Sequence, residues 1–286
     1  MSLFLSILKP FCKNLLSKIG WMAEWSCSGL QSRLRRFDSG FSLQICINMF
    51  NNKKILAVTL ARGGSKSVPK KNIKKISGKP LIAYTIEEAL KSKYIDDYLV
   101  STDCKEIAKV ANDFGAETPF IRPDEYSTDE ASSLSAIKHA INFMETQKGI
   151  KYDFFIELMC TNPLKNAFDI DSVIEKAVIN NSESVIAVHQ LDDHHPARIK
   201  KIVDDKIVDF CVEEPNEARR QDLRPLAFIR SGSIYCMRRD FILDKDKRYG
   251  GSDSRPYILP TERAVNIDTM NDFLLAELII GTTSHE

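Results

Sequence analysis

Apolar and polar positions follow two different periodicities along the chain from residue 54 onward. Short apolar runs of strand character are separated by stretches in which apolar residues recur at helical spacing. Strands that alternate with helices form parallel sheets, so the pattern predicts an α/β fold with a Rossmann-like, mainly parallel sheet and helices on both faces. The predicted strands lie at 56–60, 98–102, 153–158 and 184–189, and the predicted helices at 81–90, 107–114, 132–144, 170–180 and 272–280.

The alternation breaks between about residues 194 and 235. This stretch mixes charged residues and proline with a short β-like piece at 206–210, and strand character resumes at 234–237. By itself this pattern shows only that the stretch departs from the βα order.

A basic, glycine-bearing loop follows the first predicted strand. Residues 61–72 hold one arginine, three lysines, two glycines and two serines. Glycine lets backbone N–H groups approach a ligand closely, and arginine and lysine neutralise phosphate oxygens. The spacing matches neither GxxxxGK(S/T) nor GxGxxG. The loop predicts a nucleoside triphosphate site at the carboxyl end of the sheet, with an ordinary exposed basic loop as the alternative.

Six segments, in a fixed order from about residue 55 to residue 279, carry a resemblance to a known family. They are 61–66 with 69–72, 78–82, 100–103, 122–123 with 131–133, 219–223 and 266–269. They resemble the cytidylyltransferases that activate nonulosonic acids, the CMP-N-acetylneuraminate synthetase type. The resemblance implies a homodimer, in which the insertion at about 194–235 pairs with a second subunit and reaches into its active site.

Composition and charge narrow the class of partner. The chain is 43% hydrophobic and 28% charged, as globular proteins are. A formal net charge of +1 gives no general attraction to nucleic acid or an anionic membrane, and no run reaches the roughly 18 apolar residues of a membrane span. The seven cysteines show no CxxC spacing, which favours reduced thiols. We expect a cytoplasmic enzyme that binds neither nucleic acid nor membrane.

Residues 1–52 differ from the rest of the chain. Both tryptophans and three of the seven cysteines fall there, with six basic residues against Glu24 and Asp38. The apolar stretch 2–8 has no basic region before it, which argues against a secretory signal. We interpret 1–52 as an atypical extension outside the fold, with Met49 as the true start and 53–286 as the nucleotidyltransferase domain. A membrane-surface or partner-binding arm is the alternative.

The resemblance implies transfer of CMP from CTP to the anomeric hydroxyl of a nonulosonic, sialic-acid-like sugar acid, with release of pyrophosphate. Such a transfer needs neutralised triphosphate charge, a metal ion (here Mg²⁺) near the α-phosphate and a clamp for the sugar carboxylate. Lys71 matches the family lysine beside the α-phosphate, and Arg62, Lys71 and Asp268 are the implied catalytic residues. The implied nucleotide-binding residues are Arg62, Gly64, Ser65, Lys66, Lys71, Asn72, Arg122, Ser132 and Ser133.

Several of these residues have plainer alternatives. Lys66 and Lys70 lie among other lysines, and simple exposure to solvent is the alternative for both. The amide of Asn72 is equally suited to capping a turn. Asp129 or Ser132 has the side chain to cap the following helix, a role that is compatible with base recognition by Arg122 and its neighbours.

The predicted metal site departs from the family pattern. Relatives usually show two aspartates one residue apart, whereas this chain has Asn266 and Asp268. Alternation along a strand places both positions on one face. Because asparagine offers an oxygen without charge, we expect Asp268 to be the main Mg²⁺ ligand and the affinity for the ion to be weakened. Asp103 is a second candidate ligand, with capping of the helix near Lys105 as the alternative.

The sugar side departs from the family as well. Met159 stands where many relatives have a glutamine, and Arg198 where sialic-acid enzymes tend to have a lysine, although an arginine fork still suits a carboxylate. These changes favour a different nonulosonic acid, of legionaminic or pseudaminic type. The pair His194-His195 lacks further ligands at metal spacing, which favours a structural role. The implied sugar-binding residues are Arg198, Arg220, Gln221, Arg230 and Tyr235.

Two other functions stay open from the sequence. One is the same fold acting on another sugar acid or nucleotide, such as a 3-deoxy-manno-octulosonate cytidylyltransferase or a GMP-transferring legionaminate enzyme. The other, motivated by Asn266, is a nucleotide-binding protein without catalysis.

Overall fold

Ten strands and six helices build the part of the chain that the structure describes. A computed structural model describes residues 53–65, 67–128, 130–191, 193–215 and 219–283. The predictions for residues 1–52, Lys66 and Asp129 therefore lie outside the described residues. The strands are β1 (Ile55–Leu60), β2 (Lys75–Ile76), β3 (Lys79–Pro80), β4 (Asp97–Ser101), β5 (Phe154–Leu158), β6 (Ser184–Gln190), β7 (Lys200–Val203), β8 (Lys206–Asp209), β9 (Phe228–Arg238) and β10 (Ser254–Ile258). The helices are α1 (Leu81–Leu90), α2 (Lys105–Asp113), α3 (Ser133–Lys148), α4 (Ala167–Asn180), α5 (Arg239–Leu243) and α6 (Met270–Thr283).

The central sheet has six strands in the order β10-β6-β9-β5-β1-β4. β4, β1 and β5 are parallel neighbours, β6 and β10 are a second parallel pair, and β9 runs antiparallel between β5 and β6. The carboxyl ends of the five parallel strands therefore meet at one edge, where β9 begins. The predicted Rossmann-like, mainly parallel sheet is confirmed.

Alternation along the strands divides the core into two layers. On β1, Ile55 and Ala57 face one cluster, which contains apolar residues of α1, α2 and α4. Leu56 and Val58 face the opposite cluster, which contains apolar residues of α3 and α5. Because successive side chains of a strand point to opposite faces, a continuous apolar run is what a strand buried on both faces needs.

A third, smaller cluster fixes α6 against the antiparallel β2–β3 hairpin. Phe273 and Ala276 of α6 pack with Ile76 of β2 and Leu81 of α1. Ile267 belongs to the same cluster and is fully buried. The stretch just before α6, which carries the predicted metal ligands, is therefore anchored to the body of the domain.

Two features of the fold correct the predicted organisation. β9 begins at Phe228, so the last part of the predicted insertion at 194–235 belongs to the central sheet; the earlier part forms the antiparallel β7–β8 hairpin. β10 was not predicted because Arg255 and Pro256 interrupt its apolar pattern, and proline is tolerated there because β10 is an edge strand. Within the described residues, the structure contains no helix both long and apolar enough to cross a membrane.

Candidate active site at the carboxyl edge of the sheet

The loop after β1 is held against the end of β4. The backbone N–H of Gly63 donates to Oδ1 of Asp103 at 2.8 Å. A Cβ at position 63 would lie 3.0 Å from Cβ of Cys104, so glycine allows this close approach. The capping alternative for Asp103 is wrong, because the residue before α2 is Cys104 and the helix has no side-chain cap. Asp103 instead anchors the loop.

Asn72 supports the same loop from within. Its Nδ2 donates to the carbonyl of Arg62 at 2.9 Å, and its Oδ1 accepts from the thiol of Cys160 at 3.1 Å. The side chain is buried, at 7% exposed. Both ends of its amide are therefore occupied by protein groups, and the role of Asn72 in nucleotide binding stays a prediction.

Lys71 and Lys70 point in different directions. The Nζ of Lys71 donates to the carbonyl of Ile267 at 2.8 Å and lies 3.5 Å from Oδ1 of Asp268. Lys70 has a left-handed backbone conformation, φ 51°, and its exposed ammonium pairs with Glu106 at 2.7 Å. Lys71 therefore lies beside the predicted metal ligand Asp268. Lys70 lies on the surface, as the alternative for this residue stated.

The segment 264–268 belongs to no strand, which corrects the basis of the metal prediction. The N–H of Ile267 donates to the carbonyl of Thr161 at 2.8 Å, so the segment lies across the end of β5 instead of pairing along a strand. Asn266 and Asp268 nevertheless share one side, because Nδ2 of Asn266 donates to Oδ2 of Asp268 at 2.6 Å. The two predicted ligands are therefore brought together.

The oxygen ligands at this position fit the binding of a magnesium ion through a single carboxylate, that of Asp268. The side chain of Asp268 is 69% exposed, so its oxygens can meet a hydrated ion and substrate phosphates, the arrangement that Mg²⁺ commonly takes. The Oδ1 of Asn266 is buried without a hydrogen-bond partner and faces Gly232, where an added Cβ would lie 3.2 Å away. The described residues contain no group of three or more His, Cys, Asp or Glu arranged to hold a metal.

Arg122 lies beneath the loop with little access to solvent. Its side chain is 4% exposed, its Nε donates to Oγ of Ser127 at 3.0 Å, and its Nη2 lies 3.9 Å from Oδ1 of Asp103. Burial lowers the pKa of Arg122, the charge of Arg62 lowers it further, and the charge of Asp103 opposes that shift. The predicted base-reading arginine and the predicted phosphate arginine are therefore electrostatic neighbours.

Ser132 caps helix α3, as the plainer alternative stated. Its Oγ accepts the N–H of Ser135 at 3.1 Å. Ser133 is the first helical residue and is half-buried. One of the first N–H groups of α3 is therefore satisfied by the side chain of Ser132.

The sugar-side predictions divide into two groups. Tyr235 and Arg230 lie on β9; Tyr235 is buried, and the guanidinium of Arg230 stacks 4.1 Å from the ring of Tyr249. Arg198 and Arg220 lie on the exposed segment before β9. The Nε of Arg198 lies 3.7 Å from Oε1 of Glu214, and Arg220 donates to Asp193 at 2.7 Å; Gln221, next to Arg220, is exposed as well.

The sequence interpretation missed a buried ion pair beside Met159. Arg248 donates from Nε and Nη2 to the two carboxylate oxygens of Glu157, at 2.7 and 2.8 Å, and its Nη2 lies 3.7 Å from Sδ of Met159. Glu157 is fully buried and burial raises its pKa, which Arg248 opposes. Arg248 also stacks 5.0 Å from the ring of Tyr235. A glutamate inside the apolar run of β5 was the signal that such a partner exists.

The histidine pair has a structural contact, in line with the sequence interpretation. The Nε2 of His195 lies 2.8 Å from the carbonyl of Pro225, and its Nδ1 accepts the N–H of Ala197 at 3.2 Å. Both ring nitrogens of this buried side chain are occupied by backbone groups.

The sequence of the chain is similar to a family model and to characterised enzymes. Residues 56–275 match the family model described as Cytidylyltransferase. The pseudaminic acid cytidylyltransferase of Campylobacter jejuni is 35% identical over 234 residues, which cover 82% of this chain and 98% of that protein. The CMP-N,N'-diacetyllegionaminic acid synthase of Legionella pneumophila is 29% identical over 236 residues, which cover 79% and 96%.

A solved structure shares the fold. The CMP:2-keto-3-deoxy-manno-octonic acid synthetase, solved in complex with CTP, matches with a TM-score of 0.58 at 18% identity and covers 81% of this chain and 100% of its own. At this identity the likeness concerns the fold alone.

A mainly parallel sheet with a cationic, glycine-bearing loop at its carboxyl edge is typical of α/β proteins that bind nucleotides, and the family match identifies the class as nucleotidyltransferase. The chain belongs to the cytidylyltransferase family, and the resemblance seen in its six sequence segments is confirmed.

Proposed function

We propose that the protein transfers CMP from CTP to the anomeric hydroxyl of a nonulosonic acid and releases pyrophosphate. The position of Lys71 carries the proposal: its side chain is 13% exposed, and its ammonium is held between the carbonyl of Ile267 and the carboxylate of Asp268. A fixed cation beside an exposed carboxylate is what the α-phosphate of a magnesium–nucleotide substrate requires. The pseudaminic and legionaminic enzymes named above support the substrate class.

Different residues of the 61–72 loop are proposed to bind different phosphates of CTP. Arg62 neutralises the outer phosphates, the N–H of Gly64 and the hydroxyl of Ser65 donate hydrogen bonds to them, and Lys71 stabilises charge that develops on the α-phosphate. The anomeric oxygen forms a bond to the α-phosphorus and the bond to the bridging oxygen breaks. Pyrophosphate leaves with that electron pair, and the hydroxyl proton passes to solvent. Arg122 and the start of α3 are the proposed reading groups for the cytosine.

Asp268 is the proposed protein ligand of Mg²⁺. When bound, the ion supplies charge neutralisation at the α-phosphate. The amide of Asn266 would have to turn its oxygen outward to join it, which its hydrogen bond to Asp268 opposes. We therefore expect weak binding of the ion to the free protein and tighter binding together with CTP.

We propose that the sugar acid binds against Met159 and the side chains around it, namely Arg230, Tyr235, Arg248 and Tyr249. Arg230 is exposed and stacked on Tyr249, which leaves its guanidinium edge available to a carboxylate. Arg248 is committed to Glu157 and holds Tyr235 beside Met159. A pseudaminic or legionaminic type of acid is the proposed substrate, since two relatives are named for such acids.

The β7–β8 hairpin supports a homodimer. Ile202, Ile207 and Phe210 are 77%, 76% and 59% exposed on a hairpin that pairs with no strand of the central sheet. An exposed apolar patch of this kind is typical of a protein interface, and a lone two-stranded hairpin is marginally stable in water. A second copy of the chain is the proposed partner, and Arg198 and Arg220 are close in sequence to this surface.

The proposed compartment is the cytoplasm. The cysteines at 104, 160, 211 and 236 are free thiols in the structure, and free thiols persist where the medium is reducing.

A screen of pyrophosphate release tests the function. Purified protein with Mg²⁺ is given CTP, GTP, ATP or UTP and, in turn, pseudaminic, legionaminic, N-acetylneuraminic or 3-deoxy-manno-octulosonic acid. The proposal expects release with CTP and a nonulosonic acid. Release only with GTP or with the octulosonic acid would contradict it, and CTP binding without any release would favour a non-catalytic nucleotide-binding protein.

A further inference from the structure

Lys165 holds a buried ammonium at the carboxyl end of β5. The residue is 1% exposed. Its Nζ donates to three oxygens, the Oγ1 of Thr85 at 2.7 Å and the carbonyls of Met159 and Asn162 at 2.6 and 2.7 Å. These three acceptors match the three N–H bonds of an ammonium. The 159–165 loop is thus gripped at two points and tied to helix α1.

The gripped loop makes backbone and side-chain bonds to the segment that carries Asp268. The carbonyl of Thr161, which lies between the two carbonyls bound by Lys165, accepts the N–H of Ile267 at 2.8 Å. The side chain of Asn162 donates to the carbonyl of Arg263 at 3.2 Å. The position of segment 264–268 therefore depends on the shape of the 159–165 loop.

Segment 264–268 in turn sets the position of the proposed catalytic lysine. The carbonyl of Ile267 accepts from Lys71, and the next residue is Asp268. The two backbone polar groups of Ile267 thus have different partners: its N–H bonds to the loop that Lys165 grips, and its carbonyl bonds to Lys71. A shift of the loop moves the lysine and the carboxylate relative to each other.

We propose that Lys165 is a positioning residue for nucleotidyl transfer, which fixes Lys71 and Asp268 through the 159–165 loop. The inference rests on the function proposed above. It adds a residue that contacts no substrate and that acts on the metal side of the site.

The energetics favour this role over plain packing. A buried ammonium is costly, and its three partners are neutral oxygens, so no ion pair offsets the loss of hydration. Burial lowers the pKa of Lys165 to about 7, an effect opposed by Cys160, Glu88 and Asp169. A cation is useful here because it binds two carbonyls and a hydroxyl at once, which an apolar side chain cannot do.

Lys165→Met separates positioning from stability. Pyrophosphate release is measured against CTP and Mg²⁺ concentration, and CTP affinity is measured by calorimetry with and without Mg²⁺, all per folded molecule. We expect kcat to fall about tenfold or more, because small misplacements of catalytic groups are costly. CTP affinity without Mg²⁺ should stay within about twofold, while the gain in affinity that Mg²⁺ gives should be lost.

The control is Lys148→Met, which removes the same charge from the opposite edge of the sheet, where Lys148 pairs with Asp97 at 2.8 Å. This variant should keep the wild-type kcat and Mg²⁺ response. Lys165→Arg retains a cation with several donors and should recover part of the kcat that the methionine variant loses. A kcat for Lys165→Met within about twofold of the wild type, with only a lower Tm, would overturn the proposal.

Thr85→Val decides the matter if Lys165→Met does not fold. This nearly isosteric change removes one acceptor of the ammonium and leaves the charge in place. We expect kcat to fall about threefold with CTP affinity unchanged, and an unchanged kcat would refute the proposal. If the wild type itself releases no pyrophosphate, the proposed function fails. The calorimetric comparison of Lys165→Met with Lys148→Met then still tests the positioning of Asp268.

Discussion

The carboxylate of Asp103 accepts the backbone N–H of Gly63 at 2.8 Å and so joins the end of β4 to the loop after β1. The same Oδ1 lies 3.9 Å from Nη2 of Arg122. One oxygen thus connects the proposed phosphate-binding loop with the proposed base-reading arginine. Neither role proposed from the sequence, ion ligand or helix cap, describes this contact.

Asp103→Asn should weaken CTP binding more than it slows turnover. An amide in place of the carboxylate weakens the charge-assisted bond to Gly63 and removes the negative charge beside Arg122. We expect the KM for CTP to rise about tenfold, with kcat reduced by less than about threefold. Glu106→Gln, which only releases the surface lysine Lys70, is the matched control and should leave both constants unchanged. A loss of the Mg²⁺ response in Asp103→Asn would instead identify Asp103 as a metal ligand.

Lys71→Ala should abolish most of the turnover without unfolding the protein. The side chain is held toward Asp268, where charge develops on the α-phosphate, so its removal should lower kcat by about 100-fold or more. Lys70→Ala removes the neighbouring cation, which pairs with Glu106 on the surface, and should change kcat by less than about twofold. Steady-state pyrophosphate release and circular dichroism on both variants make the comparison. Equal effects of the two substitutions would remove Lys71 from the mechanism.

Asn266→Asp should tighten the response to magnesium. A second carboxylate next to Asp268 raises the charge offered to the ion and replaces the amide, whose Oδ1 is buried without a hydrogen-bond partner. We expect the Mg²⁺ concentration for half-maximal activity to fall about five- to tenfold. Without the ion, two adjacent carboxylates repel each other, so the Tm of the variant should drop in chelator and recover in Mg²⁺. An unchanged Mg²⁺ titration would place the ion elsewhere.

Lys165 should make stability depend on pH. Its pKa is about 7 in the folded protein and 10.5 as the ordinary value, so between these values the unfolded chain binds more protons than the folded one. The free energy of unfolding should therefore rise with pH from 7 upward, by up to about 1.4 kcal/mol per pH unit from this group. Urea unfolding of the wild type and Lys165→Met between pH 7 and about 8.5, below most thiol and phenol ionisation, isolates the contribution. Parallel curves for the two proteins would show that Lys165 does not titrate in this range.

Substitution in the β7–β8 hairpin tests the homodimer. Ile207→Glu places a charge in the exposed apolar patch, and a charge at the core of an interface is strongly unfavourable. We expect light scattering to show a dimer for the wild type and a monomer for the variant. Leu90→Glu, at an exposed apolar residue at the end of α1, should stay dimeric. A monomeric wild type at micromolar concentration would contradict the proposed partner.

The particular contacts show where sequence reasoning reached its limit. The βα order, the basic loop and the sequence of family segments were all visible, because apolar periodicity and short motifs are local properties of the chain. Sequence could not show that Asn72 turns inward or that Asp103 binds Gly63, because each contact joins residues far apart in the chain. The strand β10 was missed for a related reason: its pairing with β6 supplies the regularity that its own sequence lacks.

The sequence by itself determined the fold class, the family and the edge of the sheet at which the site is predicted. Tertiary structure alone decided which of two neighbouring lysines lies beside Asp268: Lys71 bonds to the carbonyl of Ile267, whereas Lys70 pairs with Glu106 on the surface. It also decided that a lysine at position 165 is buried against three oxygens. The physical reason is that a side chain's direction and solvation depend on groups that folding brings together from distant parts of the chain.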